Sequence, residues 1–181
     1  IVESNIVEVF VLDSMIASII SGNQSICYNT VPDTIKIEIF PAGGGDVSYT
    51  NQWQKSSDSI NWIDITGEVK GFYQPDSLSL STFYRNKSTS NYSCGPVYSN
   101  SVFVEVYDPL VSGVIQGDTV ICYNITPDAI SFSNNSTGAN NDYSYQWYTS
   151  DDGSIWTSIT GATESFYEEG NLTDTAYYKI L

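Results

Sequence analysis

Apolar and polar residues alternate along several short stretches of the chain. In TIKIEIF (34–40) and SVFVEVY (101–107), isoleucine or valine occupies every second position. This period of two predicts β-strands with one face buried and one face in solvent. The turn-forming clusters PAGGGD (41–46) and SSDS (56–59) separate such stretches, and no segment has the period of an amphipathic helix. The pattern therefore predicts an all-β protein.

The chain contains an internal repeat. The segment GNQSICYNTVPDTI (22–35) matches GDTVICYNITPDAI (117–130) at 8 of 14 positions without a gap, at an offset of 95 residues. Residues 49–85 match residues 143–179 at 13 of 37 positions, at an offset of 94. Because both matches have nearly the same offset, the sequence predicts two copies of one structural unit.

The repeated unit is short and rich in turns. About seven strands fit into each copy, and QW at 52–53 and 146–147 places a tryptophan on a central strand. This combination is typical of the immunoglobulin-like or fibronectin-like β-sandwich, in which such a tryptophan lies in the core. We therefore predict tandem immunoglobulin-like sandwiches with Trp53 and Trp147 buried.

The repeat also sets the expected domain boundaries. SNIVEVFVLD (4–13) corresponds to SNSVFVEVYD (99–108), so residues 1–14 are predicted to be the last strand of a preceding repeat. Residues 15–109 then form a complete repeat, and residues 110–181 form a second one that stops before its final strands. The parent protein is expected to contain at least three copies, as tandem surface arrays do.

Charge narrows the classes of partner. The chain has six Lys and Arg residues and 21 Asp and Glu residues, which gives a net charge of −15. Such a chain repels phosphate backbones and anionic lipid headgroups, so no nucleic acid partner is expected. No apolar run approaches the ~20 residues of a membrane helix, and no membrane insertion is expected either.

The surplus of carboxylates leaves calcium as the metal to consider. Asp13 and Asp108 occupy equivalent positions at the end of a final strand, where they could meet carboxylates of the following repeat. A bound ion would stiffen the junction between repeats. The alternative is that Asp108 simply begins a turn before Pro109, without metal. No other cofactor is expected.

The sequence argues against catalysis. It contains no histidine, which is the commonest general base and the usual partner of a Ser or Cys nucleophile. Paired carboxylates could serve a glycosidase, but the acidic residues fall in turns of small repeats, and Asp64 aligns with Ser158. We therefore predict that the chain is not an enzyme.

The three cysteines follow the repeat. Cys27 and Cys122 are equivalent, whereas the equivalent of Cys94 would fall past the end of the chain. One pair per repeat predicts a disulfide between Cys27 and Cys94, which would stabilise the fold by roughly 4 kcal/mol and imply an oxidising extracellular setting. A reactive thiol or a metal ligand is the alternative, but no CxxC or histidine accompanies the cysteines.

A second tryptophan lies across a short turn from each predicted core tryptophan. These residues are Trp62 and Trp156. A hairpin that exposes such a ring is a platform for a sugar, so a carbohydrate site is one interpretation. Ordinary packing of a partly buried aromatic side chain at a sheet edge is the other.

Triplets of Asp, then Ser or Thr, then an apolar residue are unusually frequent. Six of the 13 Asp residues begin one, where composition predicts about one or two, which suggests covalent modification of the surface. Asx turns, which favour Asp before Ser or Thr, are the alternative. The triplets do not occupy equivalent places in the two repeats, since DTI at 33 aligns with DAI at 128.

Four segments together resemble a known repeat type. They are GNQSICYNTVPDTI, QWQKSSDSINWIDITG, FYQPDSLSLSTFYR and CGPVYSNSVFVEV. They resemble the immunoglobulin-like (PKD-like) repeats of giant cell-surface adhesins of Bacteroidetes, and within that group the SprB-like gliding-motility adhesins. The resemblance covers essentially the whole chain. It implies a secreted protein that the type IX secretion system exports and that is carried along the bacterial cell surface.

The resemblance also gives the Asp-Ser/Thr-apolar triplets a meaning, because they are similar to the O-glycosylation motif of that phylum. The implied glycosylated residues are Ser14, Thr34, Ser59, Ser77, Thr119 and Thr175.

The expected function is mechanical. Sandwiches in series would form a stalk or spacer that projects a distal binding region and transmits force in surface attachment and gliding motility. The expected partners are neighbouring repeats of the same chain, the secretion and gliding machinery, and a substratum or polysaccharide reached through distal regions. The alternatives are carbohydrate-binding repeats that use Trp62 and Trp156, and a component of a filament or surface layer.

Overall fold

The computed structural model describes residues 2–45, 48–92, 94–117 and 119–181. Within these residues the chain forms seventeen β-strands and no helix, so the predicted all-β class is confirmed. The chain divides into two compact units, Ile1–Tyr107 and Asp108–Leu181. Each unit is a β-sandwich, in which inward and outward residues alternate along the strands.

The first unit contains two sheets. Its strands are β1 (Ile19–Ser21), β2 (Gln24–Ile26), β3 (Ile35–Ile39), β4 (Tyr49–Ser56), β5 (Ile63–Asp64), β6 (Phe72–Tyr73), β7 (Thr82–Ser90), β8 (Val97–Tyr98) and β9 (Val102–Val106). The smaller sheet has the order β1-β3-β6, and the larger has the order β2-β9-β7-β4-β5, with β8 also beside β7. Neighbouring strands are antiparallel, except that β2 and β9 run parallel.

The core of the first unit lies between these sheets. Trp53 on β4 is fully buried, as predicted, and its indole Nε1 donates to the Lys70 carbonyl at 2.8 Å. The rings of Trp53 and Tyr73 have centroids 6.1 Å apart, and those of Tyr73 and Tyr84 are 5.5 Å apart. The remaining buried apolar residues are Ile20, Ile35, Ile37, Val102 and Val104. The alternating stretches 34–40 and 101–107 thus supply inward-facing residues to both sheets.

The second unit repeats much of this arrangement. Its strands are β10 (Asp108–Val111), β11 (Val114–Gln116), β12 (Ile130–Asn134), β13 (Thr137–Ala139), β14 (Trp147–Ser150), β15 (Thr157–Ser158), β16 (Phe166–Tyr167) and β17 (Tyr177–Ile180). They form sheets of order β11-β12-β16 and β15-β14-β17 and a β10-β13 pair. Trp147 is fully buried, as predicted, and its Nε1 donates to the Glu164 carbonyl at 2.9 Å.

The N-terminal segment, which the repeat predicts to be the last strand of a preceding repeat, is not paired in this structure, and that prediction stays a prediction. Residues 2–15 have no β structure, and the side chains of Val7, Val9 and Val11 are exposed. A strand exists only when its backbone groups pair with a neighbour. Within the described residues no strand pairs with this segment, so its alternating pattern has no sheet to join.

The predicted Cys27–Cys94 disulfide is wrong in this structure, because Cys27, Cys94 and Cys122 are all free thiols. Cys27 follows β2, whose Ile26 pairs with Val106, and the Val106 amide donates to Ser81 Oγ just before β7. Cys94 lies at the other end of β7, where its amide donates to Ser90 Oγ. A strand of this length separates the two cysteines by roughly 25–30 Å, whereas a disulfide needs Cα atoms about 6 Å apart.

Reduction is therefore expected to leave the thermal stability of the protein unchanged. A disulfide worth about 4 kcal/mol would instead lower the melting temperature by more than roughly 15 °C when reduced. Differential scanning calorimetry with and without a strong thiol reductant measures the difference. As a control, thiol titration of the unfolded, unreduced chain should count three free cysteines. A count of one would show that two of them form a disulfide.

Candidate functional site

The outer face of the larger sheet in the first unit carries a cation between two aromatic rings. Arg85 follows the buried Tyr84 on β7 and therefore points to the opposite face of the sheet. Its guanidinium carbon lies 4.3 Å from the ring centroid of Trp62 and 4.0 Å from that of Tyr98. Cation–π attraction of this kind contributes about 0.5–1 kcal/mol per pair at partly exposed sites. The contacts tie the β4–β5 turn region to β7 and β8.

Hydrogen bonds fix the position of this guanidinium. Arg85 Nε donates to Gln54 Oε1 at 2.7 Å, and Gln54 Nε2 donates to Asp64 Oδ1 at 2.6 Å. Burial lowers the pKa of Arg85 from its usual value, and the charges of Tyr98 and Asp64 oppose that shift. Trp62, Arg85, Tyr98, Gln54 and Asp64 together form what we call the cation–aromatic cluster.

The second unit has a related cluster with different residues. Lys179 Nζ lies 4.5 Å from the ring centroid of Trp156 and 5.5 Å from that of Tyr148. In the repeat alignment Lys179 corresponds to Arg85, and Tyr148 corresponds to Gln54. Neither Arg85 nor Lys179 belongs to a motif that predicts a role for it. The available signal was that two of only six basic residues fall at equivalent positions.

This arrangement bears on the carbohydrate interpretation. Trp62 is only partly exposed, its Nε1 donates to the Ser59 carbonyl at 3.1 Å, and the Arg85 guanidinium lies over its ring. Trp156 is likewise partly exposed beneath Lys179. A sugar that stacked on the same ring face would have to displace the cation. The contacts favour packing at the sheet edge over a ready sugar platform.

Comparison with known proteins gives the family of the chain. A family model described as "Domain of unknown function (DUF8696)" matches residues 16–108 and, a second time, residues 111–181. The chain belongs to this family. Each DUF8696 match falls almost entirely within one of the two compact units. No curated protein matches the chain significantly.

A solved structure gives one further likeness. It contains the three N-terminal domains of the highly immunogenic outer capsid protein (Hoc) of bacteriophage RB49. That structure is 12% identical in sequence, with a TM-score of 0.44, and the match covers 92% of this chain and 57% of the Hoc chain. The chain thus spans a little over half the length of that structure.

The hydroxyls implied as glycosylation sites all lie at the surface, five within the two DUF8696 matches and one, on Ser14, just before the first match. All six residues are exposed, namely Ser14, Thr34, Ser59, Ser77, Thr119 and Thr175. A glycan requires an exposed hydroxyl, because a packed core has no room for it. Asp118, which begins one triplet, lies outside the described residues. Glycosylation itself stays a prediction.

The acidic residues that the structure describes do not gather around a metal position. Among residues 2–45, 48–92, 94–117 and 119–181 there is no group of three or more Cys, Asp or Glu side chains that could hold an ion. The Asp13 carbonyl accepts from the Gly44 amide, and Asp108 lies on β10 opposite Ala139. The calcium prediction at Asp13 and Asp108 therefore gains no support.

In the part of the chain that the structure describes, no helix is long and apolar enough to cross a bilayer.

Proposed function

We propose that the chain is a force-bearing segment of the stalk of a bacterial cell-surface adhesin, and that it serves surface attachment and gliding motility without catalysing a reaction. Within the stalk each unit would have to stay folded while load passes from one end to the other. The observation that carries this proposal is the parallel pairing of β2 and β9 in the first unit.

The parallel pair joins strands close to the two ends of the unit. Gln24 lies beside Val104, and Ile26 lies beside Val106. The pairing extends past both strands, because the Phe103 amide donates to Asn23 Oδ1 at 2.7 Å and the Tyr107 amide donates to the Ile26 carbonyl at 2.9 Å. On the exposed side Ser25 Oγ donates to Glu105 Oε2 at 2.7 Å.

This geometry determines how a stretching force acts. A pull on the N-terminal end draws β2 backwards along its own axis, while a pull on the C-terminal end draws β9 forwards, in the opposite direction along the same axis. The hydrogen bonds between parallel strands are evenly spaced along that axis. They are therefore loaded together in shear, whereas an antiparallel pair pulled at one end breaks its bonds one after another.

The expected result is that the first unit resists end-to-end stretching more strongly than unzipping. Single-molecule force spectroscopy would compare two attachments on the 181-residue chain, in a background where the three native cysteines are serine. One attachment uses the termini, and the other uses cysteines at Thr50 and Thr89, which lie opposite each other near one end of the antiparallel β4–β7 pair. We expect a several-fold higher unfolding force with the termini. Equal forces would contradict the load-bearing role.

A matched pair of variants assigns the resistance to β2 and β9. Asn23→Ala combined with Ser25→Ala removes two hydrogen bonds across the parallel pair and should lower the end-to-end unfolding force, at a cost of about 1 kcal/mol of stability per bond. Ser21→Ala removes a similar serine–glutamate bond, from Ser21 Oγ to Glu38 Oε1 at 2.6 Å, between β1 and β3. This control should leave the force unchanged.

Other properties of the chain are compatible with the same role. A strongly acidic, Ser- and Thr-rich surface keeps an extracellular repeat soluble, and the six exposed hydroxyls named above are accessible to a glycosylating enzyme. Export by a type IX system, contact with the gliding machinery and attachment through distal regions of the parent protein complete the proposal. They rest on the resemblance to gliding-motility adhesins.

A further inference from the structure

The larger sheet of the first unit presents two cations on its outer face. Tyr84 and Asn86 of β7 are buried in the core, so Arg85 and Lys87, which alternate with them along the strand, point outward. These are two of only six Lys and Arg residues in the chain, against 21 Asp and Glu residues. Two neighbouring cations on one strand are therefore a local exception on a strongly acidic chain.

The carboxylate of the cation–aromatic cluster is bound to other groups and not to Arg85. Asp64 Oδ1 accepts from Gln54 Nε2 at 2.6 Å, and Asp64 Oδ2 forms an ion pair with Lys87 Nζ at 3.9 Å. Arg85 itself donates from Nε to Gln54 Oε1. Among the described residues its two Nη groups have no hydrogen-bond partner and no ion pair, and they are not buried. The two-pronged end with which arginine binds a carboxylate therefore faces solvent.

The guanidinium is held in position without the use of its Nη groups. The ring centroids of Trp62 and Tyr98 lie 4.3 and 4.0 Å from its central carbon, and Gln54 accepts from its Nε. An arginine that is already fixed loses little conformational entropy when it binds a ligand. The two rings also keep water from part of the guanidinium, which strengthens a charge-assisted hydrogen bond at the open edge. The cluster is thus preorganised for an anion.

The second unit places a cation at the same position with different residues. Lys179 corresponds to Arg85, and its Nζ lies 4.5 Å from the ring centroid of Trp156 and 5.5 Å from that of Tyr148. One of these rings is equivalent to a ring of the first unit, and the other comes from a different strand. An apolar side chain would pack between two rings equally well. The recurrence of a cation there is therefore evidence for a negatively charged ligand.

The size of the cluster indicates what kind of molecule carries this charge. A protein partner needs about 800 Å² of surface on each side, whereas the cluster offers one guanidinium edge between two rings. One sugar ring fits such an area, because aromatic edges accept contacts from its C–H groups while a carboxylate on the same sugar reaches the Nη groups. The cation then stays on both rings. A single contact of this kind is weak, but a polysaccharide repeats its carboxylates as the chain repeats its cluster, so the contacts reinforce one another.

We propose that the cation–aromatic cluster binds the carboxylate of a uronic acid in an acidic polysaccharide, with the Arg85 Nη groups as the two donors. Lys179 makes a single contact of the same kind in the second unit. The net charge of −15 opposes a polyanion, but charges are screened beyond about 8 Å at physiological ionic strength, so the contacts at the cluster decide the attraction. Binding of this kind goes beyond force transmission, because it lets the stalk hold a polysaccharide along its length.

Surface plasmon resonance on the 181-residue chain tests the proposal without any variant. The chain should bind immobilised polygalacturonate and should not bind the fully methyl-esterified polymer, in which each carboxylate is neutral. Immobilised polyglutamate presents the same carboxylate on a peptide and should not bind the chain either. Equal binding to polygalacturonate and its ester, or binding to polyglutamate alone, would overturn the proposal.

Arg85→Met assigns the binding to the guanidinium. This variant keeps a side chain of similar length between the rings, and its affinity for polygalacturonate should fall by about tenfold while its circular dichroism stays unchanged. Lys36→Met is the matched control, since it removes one positive charge from the outer face of the smaller sheet, where Lys36 pairs with Glu38 at 3.1 Å. Its affinity should not change. No loss in Arg85→Met, or an equal loss in both variants, would contradict the assignment. The stalk function is tested separately by the unfolding forces.

Discussion

Trp53→Ala is expected to destabilise the first unit by about 3–5 kcal/mol, the cost of emptying a large site in a packed core. The ring is fully buried, packs near Tyr73, and donates its indole N–H to the Lys70 carbonyl. Truncation removes these contacts and leaves the Lys70 carbonyl without its partner. Because small domains are stable by only about 5–15 kcal/mol, the loss is a large fraction of the total.

Urea denaturation followed by circular dichroism measures this effect, and hydrogen exchange assigns it to the first unit. Trp62→Ala is the matched control, since it removes the same side chain from a partly exposed position over Arg85. We expect Trp62→Ala to cost about 1 kcal/mol. A larger loss from Trp62→Ala than from Trp53→Ala would mean that the outer cluster, and not the core tryptophan, supports the sandwich.

The second large effect is expected from Gly43→Ala. Gly43 has φ of 79°, a left-handed conformation that L residues adopt at a cost, and an added Cβ would lie 2.2 Å from the Ser14 carbonyl oxygen. Strain and collision together should destabilise the first unit by about 2–3 kcal/mol. The backbone near Ser14 has to move away, since a carbonyl oxygen is not the flexible end of a side chain.

Gly67→Ala separates the cost of backbone strain from the cost of the steric collision. Gly67 has nearly the same φ, 82°, but a Cβ there would meet nothing within 4 Å. We expect a cost of about 1 kcal/mol from conformation alone. Thermal unfolding of both variants in the same buffer gives the comparison, and equal losses would show that the contact with the Ser14 carbonyl is relieved without cost.

Local patterns in the sequence were enough to predict the class of fold. The alternation in 34–40 and 101–107 became β3 and β9, and the QW pairs placed Trp53 and Trp147 in the two cores. These predictions rest on the two-residue period of a strand and on the cost of exposing large apolar rings. Both can be judged from residues that are close together in the sequence. Self-similarity of the sequence likewise revealed the duplicated unit without any knowledge of the fold.

The sequence predicted only the aromatic part of the cation–aromatic cluster. Trp62 and Trp156 were singled out, but the cation over each ring was not, because Arg85 and Lys179 lie 23 residues further along the chain on other strands. The contact of Arg85 exists only once β5, β4 and β7 align, and that of Lys179 only once β15, β14 and β17 align. The choice between a sugar platform and a packed sheet edge therefore depended on strand order, which no local pattern specifies.

The sequence by itself determined the all-β class, the duplicated unit and the identity of the core tryptophans, because each follows from local periodicity or from internal identity. Only the tertiary structure decided that Cys27 and Cys94 lie at opposite ends of β7 and that β2 and β9 run parallel. The physical reason is that these features depend on which distant strands pair and in which register. Many alternative pairings bury the same apolar faces, so the choice among them is made by the packing of the whole unit.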